Sequence, residues 1–249
     1  MMRSNSKSIL PTFSVRAAAK SYGKEAMILL LNRQGVNIKV TERMVQLIAG
    51  TFDHELMTLL LDRHREDIVI TDKVVKAAAG NSRSGVEVME LLLNLQGDEV
   101  IITEEVSKAA AGNFESGVDI MELLLDRRGH DVMITEEVTK AAAGNSKSGI
   151  EVIELLLNRR GDEVMITEEV IKAAAGNPEI GVEVMELLLN RRGHDMMITE
   201  EVIKAAAGNS RSGVGVMELL LDLRGDVMIT EEVVTAVIEA AANAGGLCY

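Results

Sequence analysis

Apolar residues recur along the chain in two alternating stripes. In the first, Val138, Ala141 and Ala142 stand at i, i+3 and i+4, the spacing of one helix face with small side chains. In the second, Val152, Ile153, Leu155 and Leu156 make a bulkier face. Turn residues separate them, Gly144-Asn145 after the first stripe and Gly161 after the second. The pattern predicts a pair of short helices, A and B. The segment Val164-Met165-Ile166 that follows could pass for a strand. At three residues before the next cap it reads as an extended linker whose Ile166 staples onto helix A.

Local chemistry supports the pairing. Thr135 suits the N-cap of helix A, and Glu136 and Glu137 place negative charge in its first turn. Glu136 and Lys140 form an i,i+4 pair worth about 0.2–0.5 kcal/mol. Gly144-Asn145 reads as a left-handed stop. Ser148 and Glu151 have capping-box spacing for helix B, as do Ser84 with Glu87 and Ser116 with Asp119. Arg159 and Arg160 sit in its last turn, beside the free carbonyls.

The pair is copied. Thr103, Thr135, Thr167 and Thr199 open near-identical blocks, 32 residues apart; Thr71 lies 32 upstream and Thr230 31 downstream. Divergent copies start at Thr41 and Pro11. One hairpin cannot bury both its apolar faces, and stacking each on the next can. The expected fold class is all-α, an α-solenoid of about seven and a half helix-turn-helix repeats with a period of 32 residues. The expected organisation is an N-terminal tail at 1–8, one solenoid at 9–243 and a C-terminal tail at 244–249. Within the solenoid, 9–70 holds degenerate repeats, 71–229 regular ones and 230–243 a terminal helix.

Composition narrows the partners. The 26 Lys and Arg against 39 Asp and Glu give a net charge of −13, and there are five aromatic residues and no Trp. Such a surface repels phosphate and offers few stacking platforms, so no nucleic acid is expected. No apolar run is long enough for a membrane span, and the first residues lack the apolar core of a leader. Cys248 alone makes neither an internal disulfide nor a thiolate site. A cytoplasmic location is expected.

The helix B segment 184–196 and the Thr and Ala-Ala positions of helix A resemble ankyrin repeats. Thr-Glu-Glu-Val replaces the ankyrin Thr-Pro-Leu-His, Thr135 to Leu155 is longer than the ankyrin spacing, and Leu155 to Thr167 leaves no room for a β-hairpin finger. The array looks like an ankyrin-like, finger-less helical array. Its Lys-Ala-Ala-Ala-Gly-Asn and Leu-Leu-Leu-Asp-Arg-Arg-Gly blocks resemble near-identical repeat arrays of fungal proteins, often found behind the nucleotide-binding module of STAND-type, innate-immune-receptor-like proteins. No Gly-x-x-x-x-Gly-Lys-Ser/Thr motif occurs here.

Positions that differ between copies are candidates for outside contacts. The fifth residue of helix A reads Val75, Ser107, Thr139, Ile171, Ile203. Its alternation between polar and apolar suggests partial exposure. One column of the A–B loop reads Arg83, Glu115, Lys147, Glu179, Arg211, with alternating charge. A second reads Asp98, His130, Asp162, His194, Asp226. Alternation every 64 residues sets opposite charges side by side on adjacent repeats, or marks descent from a two-repeat unit. His130 and His194 lie two layers apart and cannot share a metal, so no metal or cofactor is expected. Carboxylate pairs copied in every repeat do not make a catalytic dyad, so no enzyme is expected. Met121, Met185 and Met217 fall on the helix B stripe and read as core.

At the C-terminal end, Val234, Val237 and Ala240 would leave an apolar face with no helix B to cover it. Two functions follow as expectations. One is a non-catalytic scaffold that recognises a protein or peptide through the fifth-residue and loop columns. The alternative is self-assembly, the terminal helix stacking end to end on another copy into a filament, tube or ring.

Overall fold

In the computed structural model the chain is an all-α solenoid repeat protein, with fourteen α-helices and no strand among the described residues. The structure describes residues 23–32, 39–192, 198–223 and 230–245. The N-terminal tail, the copy at Pro11, His194, Asp226, Cys248 and the side chains of Asp98 and Ala240 lie outside them. Contacts divide the chain into two compact units, Met1–Ile102 and Thr103–Tyr249.

The first unit contains α1 (Gly23–Asn32), α2 (Glu42–Thr51), α3 (His54–His64), α4 (Asp72–Ala79) and α5 (Gly85–Gln96). The A helices α2 and α4 pack together, and the B helices form a second row in which α3 lies between α1 and α5. The second unit alternates in the same way. Its A helices are α6 (Glu104–Ala111), α8 (Glu136–Ala143), α10 (Glu168–Ala175), α12 (Glu200–Ala207) and α14 (Glu231–Gly245). Its B helices are α7 (Gly117–Arg128), α9 (Gly149–Arg160), α11 (Gly181–Arg192) and α13 (Gly213–Leu223). Each A helix from α6 to α14 packs on the next A helix, and each B helix from α7 to α13 on the next B helix.

Helix A starts where the sequence indicates. The hydroxyls of Thr103, Thr135, Thr167 and Thr199 accept from the backbone N–H three residues on, at 3.4–3.5 Å. It stops for a different reason. Gly144 has φ −82° and ψ −9°, and no described non-glycine residue has a positive φ, so the left-handed stop is corrected. Asn145 turns the chain instead. Its Oδ1 accepts from the N–H groups of Lys147 and Ser148 at 3.1 and 3.2 Å. Helix A stops after 8 residues in α4, α6, α8, α10 and α12, whereas α14, with Glu239-Ala240 in place of Gly-Asn, runs for 15.

The serine capping boxes do not form. Ser84, Ser116 and Ser148 make no side-chain cap bond, and their own N–H groups, which the box would offer to Glu87, Asp119 and Glu151, go to the asparagine. Gly149 follows at a tight crossing. A Cβ there would lie 2.5 Å from the Ala142 carbonyl oxygen, so helix B can enter against its own helix A only with glycine.

The fifth-residue column is buried. Val75, Ser107 and Thr139 are 0% exposed and Ile171 and Ile203 2%, against the expected partial exposure. Helix A has two turns and neighbours on several sides. Its fourth, fifth, eighth and ninth residues are all covered, as Val138, Thr139, Ala142 and Ala143 show. Serine and threonine fit there because they are small. The Thr139 hydroxyl donates back to the Thr135 carbonyl at 3.1 Å, and the Ser107 hydroxyl has no partner. Met121 and Met185 are fully buried in the B row, as expected, whereas Met217 is only half-buried.

The linker alternates. Val132 and Ile134 are buried around an exposed Met133, and Val100 and Ile102 around an exposed Ile101.

Candidate functional site

Several polar groups of the repeat bond across to the neighbouring layer. Asn145 Nδ2 donates to the carbonyls of Ala111 and Asn113 in the preceding repeat, at 3.2 and 2.8 Å. Asn177 donates to Ala143, and Asn209 to Ala175 and Asn177, at 2.8–3.0 Å. In the first unit Asn81 reaches Ala49 and Phe52, both at 2.8 Å. These asparagines are buried. Each ties down the carbonyl end of the previous helix A, which helix geometry leaves without a partner.

The acidic pair of helix A also bridges layers. The hydroxyls of Thr135, Thr167 and Thr199 donate to Glu104, Glu136 and Glu168 of the repeat before, at 2.6–2.7 Å. Lys108 reaches Glu137 at 2.6 Å, Glu137 meets Lys140 at 3.5 Å, Lys140 meets Glu169 at 3.4 Å, and Glu169 meets Lys172 at 2.8 Å. The sequence pairing of Glu136 with Lys140 is replaced by this zigzag across α6, α8 and α10. Lys108 holds the Glu137 carboxyl below its ordinary range, and Lys172 and then Lys140 do the same for Glu169. Lys204, beside Glu200, Glu232 and Glu201, is raised. The arginine pair bridges layers as well. Arg159 meets Asp126 of the B helix before, at 3.1 Å, and Arg160 donates to the Gly129 carbonyl at 2.6 Å and grips Glu163.

The loop column is exposed, and part of it is paired internally. Lys147 forms an ion pair with Glu115, and Arg211 with Glu179. Lys147 also lies 5.5 Å from the centre of the Phe114 ring. Arg83 is exposed in the first unit. In the other loop column His130 and Asp162 are exposed. Among the described residues no group of three or more His, Cys, Asp or Glu is placed to hold a metal ion, and no helix is long and apolar enough to cross a membrane.

Among the described residues Leu29 on α1 and Val214 on α13 are the most exposed large apolar side chains, at 72% and 74%, and two further groups recur or cluster. One lies along the linkers, where the middle residue is large and exposed: Val69 66% and Ile101 64% in the first unit, Met133 49% and Met165 50% in the second. Sequence reasoning missed it, although alternation across Val132-Met133-Ile134 is visible in the chain. The other is on α14. Val234, Val237 and Ile238 are 46%, 42% and 62% exposed. They occupy the fifth, eighth and ninth places of helix A, whose counterparts Thr139, Ala142 and Ala143 are fully buried. The expected end face is therefore exposed at Val234 and Val237, with Ile238 added.

A family model tiles the chain in seven units, at residues 29–50, 59–89, 91–121, 123–152, 155–185, 187–217 and 219–246, and its description is Domain of unknown function (DUF7104). The chain belongs to this family. The DUF7104 units from Leu59 onward start every 32 residues, the period of the helix pair, and each begins inside a helix B. No curated protein and no solved structure matches the chain.

Proposed function

We propose that this DUF7104 array is a non-catalytic scaffold that binds a protein segment along its linkers. The observation that carries the reading is the exposed linker residue, Met133 and Met165 in the second unit and Val69 and Ile101 in the first. A large apolar side chain held in water between buried or half-buried neighbours, and repeated from linker to linker, favours contact with another molecule. Methionine suits such a surface because its unbranched side chain adapts to different shapes. The loop column contributes at the rim, where its internal ion pairs leave little charge to give. The likeness to ankyrin-type arrays and STAND-type receptors favours recognition too, and a cytoplasmic setting fits it. The test is selection of peptides from a random library against the whole chain. Selected peptides should be apolar, should lose binding to the Met133→Glu/Met165→Glu variant and should keep it with Lys147→Ala. Peptides indifferent to Met133 and Met165 would overturn the reading.

A second reading, end-to-end self-assembly, is favoured by the exposed face of α14. Replacing Val237 with Glu should remove concentration-dependent association in light scattering. A wild-type chain that stays monomeric at high concentration would end this reading.

A further inference from the structure

We infer that the face of α14 seats the basic N-terminal segment of a second copy of the chain, so that copies join head to tail. The inference rests on the end-to-end reading and names the mate. Inside the second unit, the places that Val234, Val237 and Ile238 occupy on α14 are buried in α6, α8 and α10, and in α12 all but the half-buried Ala207 are; each of those helices packs on the A helix of the next repeat. What covers such a face in this protein is thus another helix A of its own kind.

Charge selects which one. From Gly225 to Tyr249 the chain has four acidic residues, Asp226, Glu231, Glu232 and Glu239, and no Lys, Arg or His. From Met1 to Lys24 it has five basic residues, Arg3, Lys7, Arg16, Lys20 and Lys24, and no Asp or Glu. On α14 the carboxylates flank a cleft of about 550 Å³ lined by Lys204, Glu231, Glu232, Thr235 and Glu239. Lys204 already pairs with Glu232 at 3.1 Å, which leaves Glu231 and Glu239 on the rim for a cation from outside.

Size and register agree. The large Val237 and Ile238 stand where internal A helices have alanine, and the first copy offers Ala17, Ala18 and Ala19 between Arg16 and Lys20. The lysine-to-glutamate link between layers is dropped at both ends together. Thr235 stands in the lysine place on α14, and Phe13 stands in the glutamate place of the copy at Pro11. A junction between copies therefore strands neither charge. Because the two surfaces differ, the contact is heterologous and propagates.

Charge reversal tests it in the full-length chain. One variant carries Glu231→Lys and Glu239→Lys, the other Arg16→Glu and Lys20→Glu, and sedimentation velocity is measured across concentration with helicity checked by circular dichroism. Each variant alone should associate at least about tenfold more weakly than wild type, because like charges now meet at the junction. An equimolar mixture should regain wild-type association, as should the chain with all four substitutions. If the Arg16→Glu/Lys20→Glu variant associates like wild type, the N-terminal segment is not the mate and α14 pairs with something else. If the mixture is not rescued, the pairing of these two surfaces is refuted. If the wild type never associates, the end-to-end reading itself fails, a different result from either.

Discussion

Ser107 occupies a fully buried place in α6, and its hydroxyl has no partner. The same place holds Val75, Ile171 and Ile203, so the fold accommodates a branched apolar side chain there. Ser107→Val should therefore stabilise the protein. Removing a buried hydroxyl that makes no hydrogen bond recovers about 1–3 kcal/mol of desolvation. The added carbon contributes up to about 0.8 kcal/mol if it fills space between α6 and its neighbours. A slight loss of helix propensity opposes these, and the net gain is about 1–3 kcal/mol. Thr139→Val is the control, since the Thr139 hydroxyl already donates to the Thr135 carbonyl at 3.1 Å. Its change should be smaller, within about 1 kcal/mol of zero. Urea unfolding followed by far-ultraviolet circular dichroism measures both, as a midpoint shift at constant slope. If Ser107→Val lowers the midpoint, or gains no more than Thr139→Val, the hydroxyl at 107 is satisfied and the reasoning is wrong.

Other perturbations test the contacts between layers. Asn145→Ala leaves the Ala111 and Asn113 carbonyls and the Lys147 and Ser148 N–H groups without their partner; a loss of about 2–5 kcal/mol in urea unfolding is expected, and one below about 1 would mean that water replaces the side chain. Glu115→Gln breaks only an exposed ion pair with Lys147, and its effect should stay within about 1 kcal/mol. Folding stability should also follow pH. Glu137 and Glu169 titrate below their ordinary 4.5 in the folded chain, so their contribution is complete above about pH 4.5 and is lost as pH falls through the depressed values. Lys108 and Lys172 titrate above their ordinary 10.5, so their contribution is complete below about pH 10.5 and is lost as pH rises through the raised values. Urea midpoints across pH should form a plateau between these limits, and raised salt should lower it because the pairs are exposed. A midpoint unchanged on acidification below that limit would mean that the zigzag contributes nothing.

The helices were legible because their signals are local. Thr135, the Val138 and Ala142 stripe and the Leu155-Leu156 face each need only a few residues of context. What the chain did not disclose depends on the adjacent layer. Alternation at Ser107, Thr139 and Ile171 looked like exposure because polarity usually marks solvent, yet a two-turn helix with covered faces hides even its serine. Asn145 looked like part of a stop signal, and its carboxamide instead spans to a carbonyl 34 residues earlier. Glu136 was within reach of Lys140 on paper, but the Thr167 hydroxyl claims it. The end face at Val234 and Val237 could be anticipated, because what decides it is the loss of the pattern itself.

The asparagine bonds between layers run one way, from each repeat to the one before it. A repeat therefore cannot complete its own hydrogen bonding; the carbonyls closing its helix A wait for a side chain roughly one period further on. In a chain growing from its N-terminus, the last folded repeat would have these carbonyls open until the next one packs on it. Position 240, where the next asparagine of the series would stand, is alanine. At the Gly-Asn turn of the Thr199 repeat the next asparagine of the series is thus replaced, and the least protected amides of the second unit should be found there.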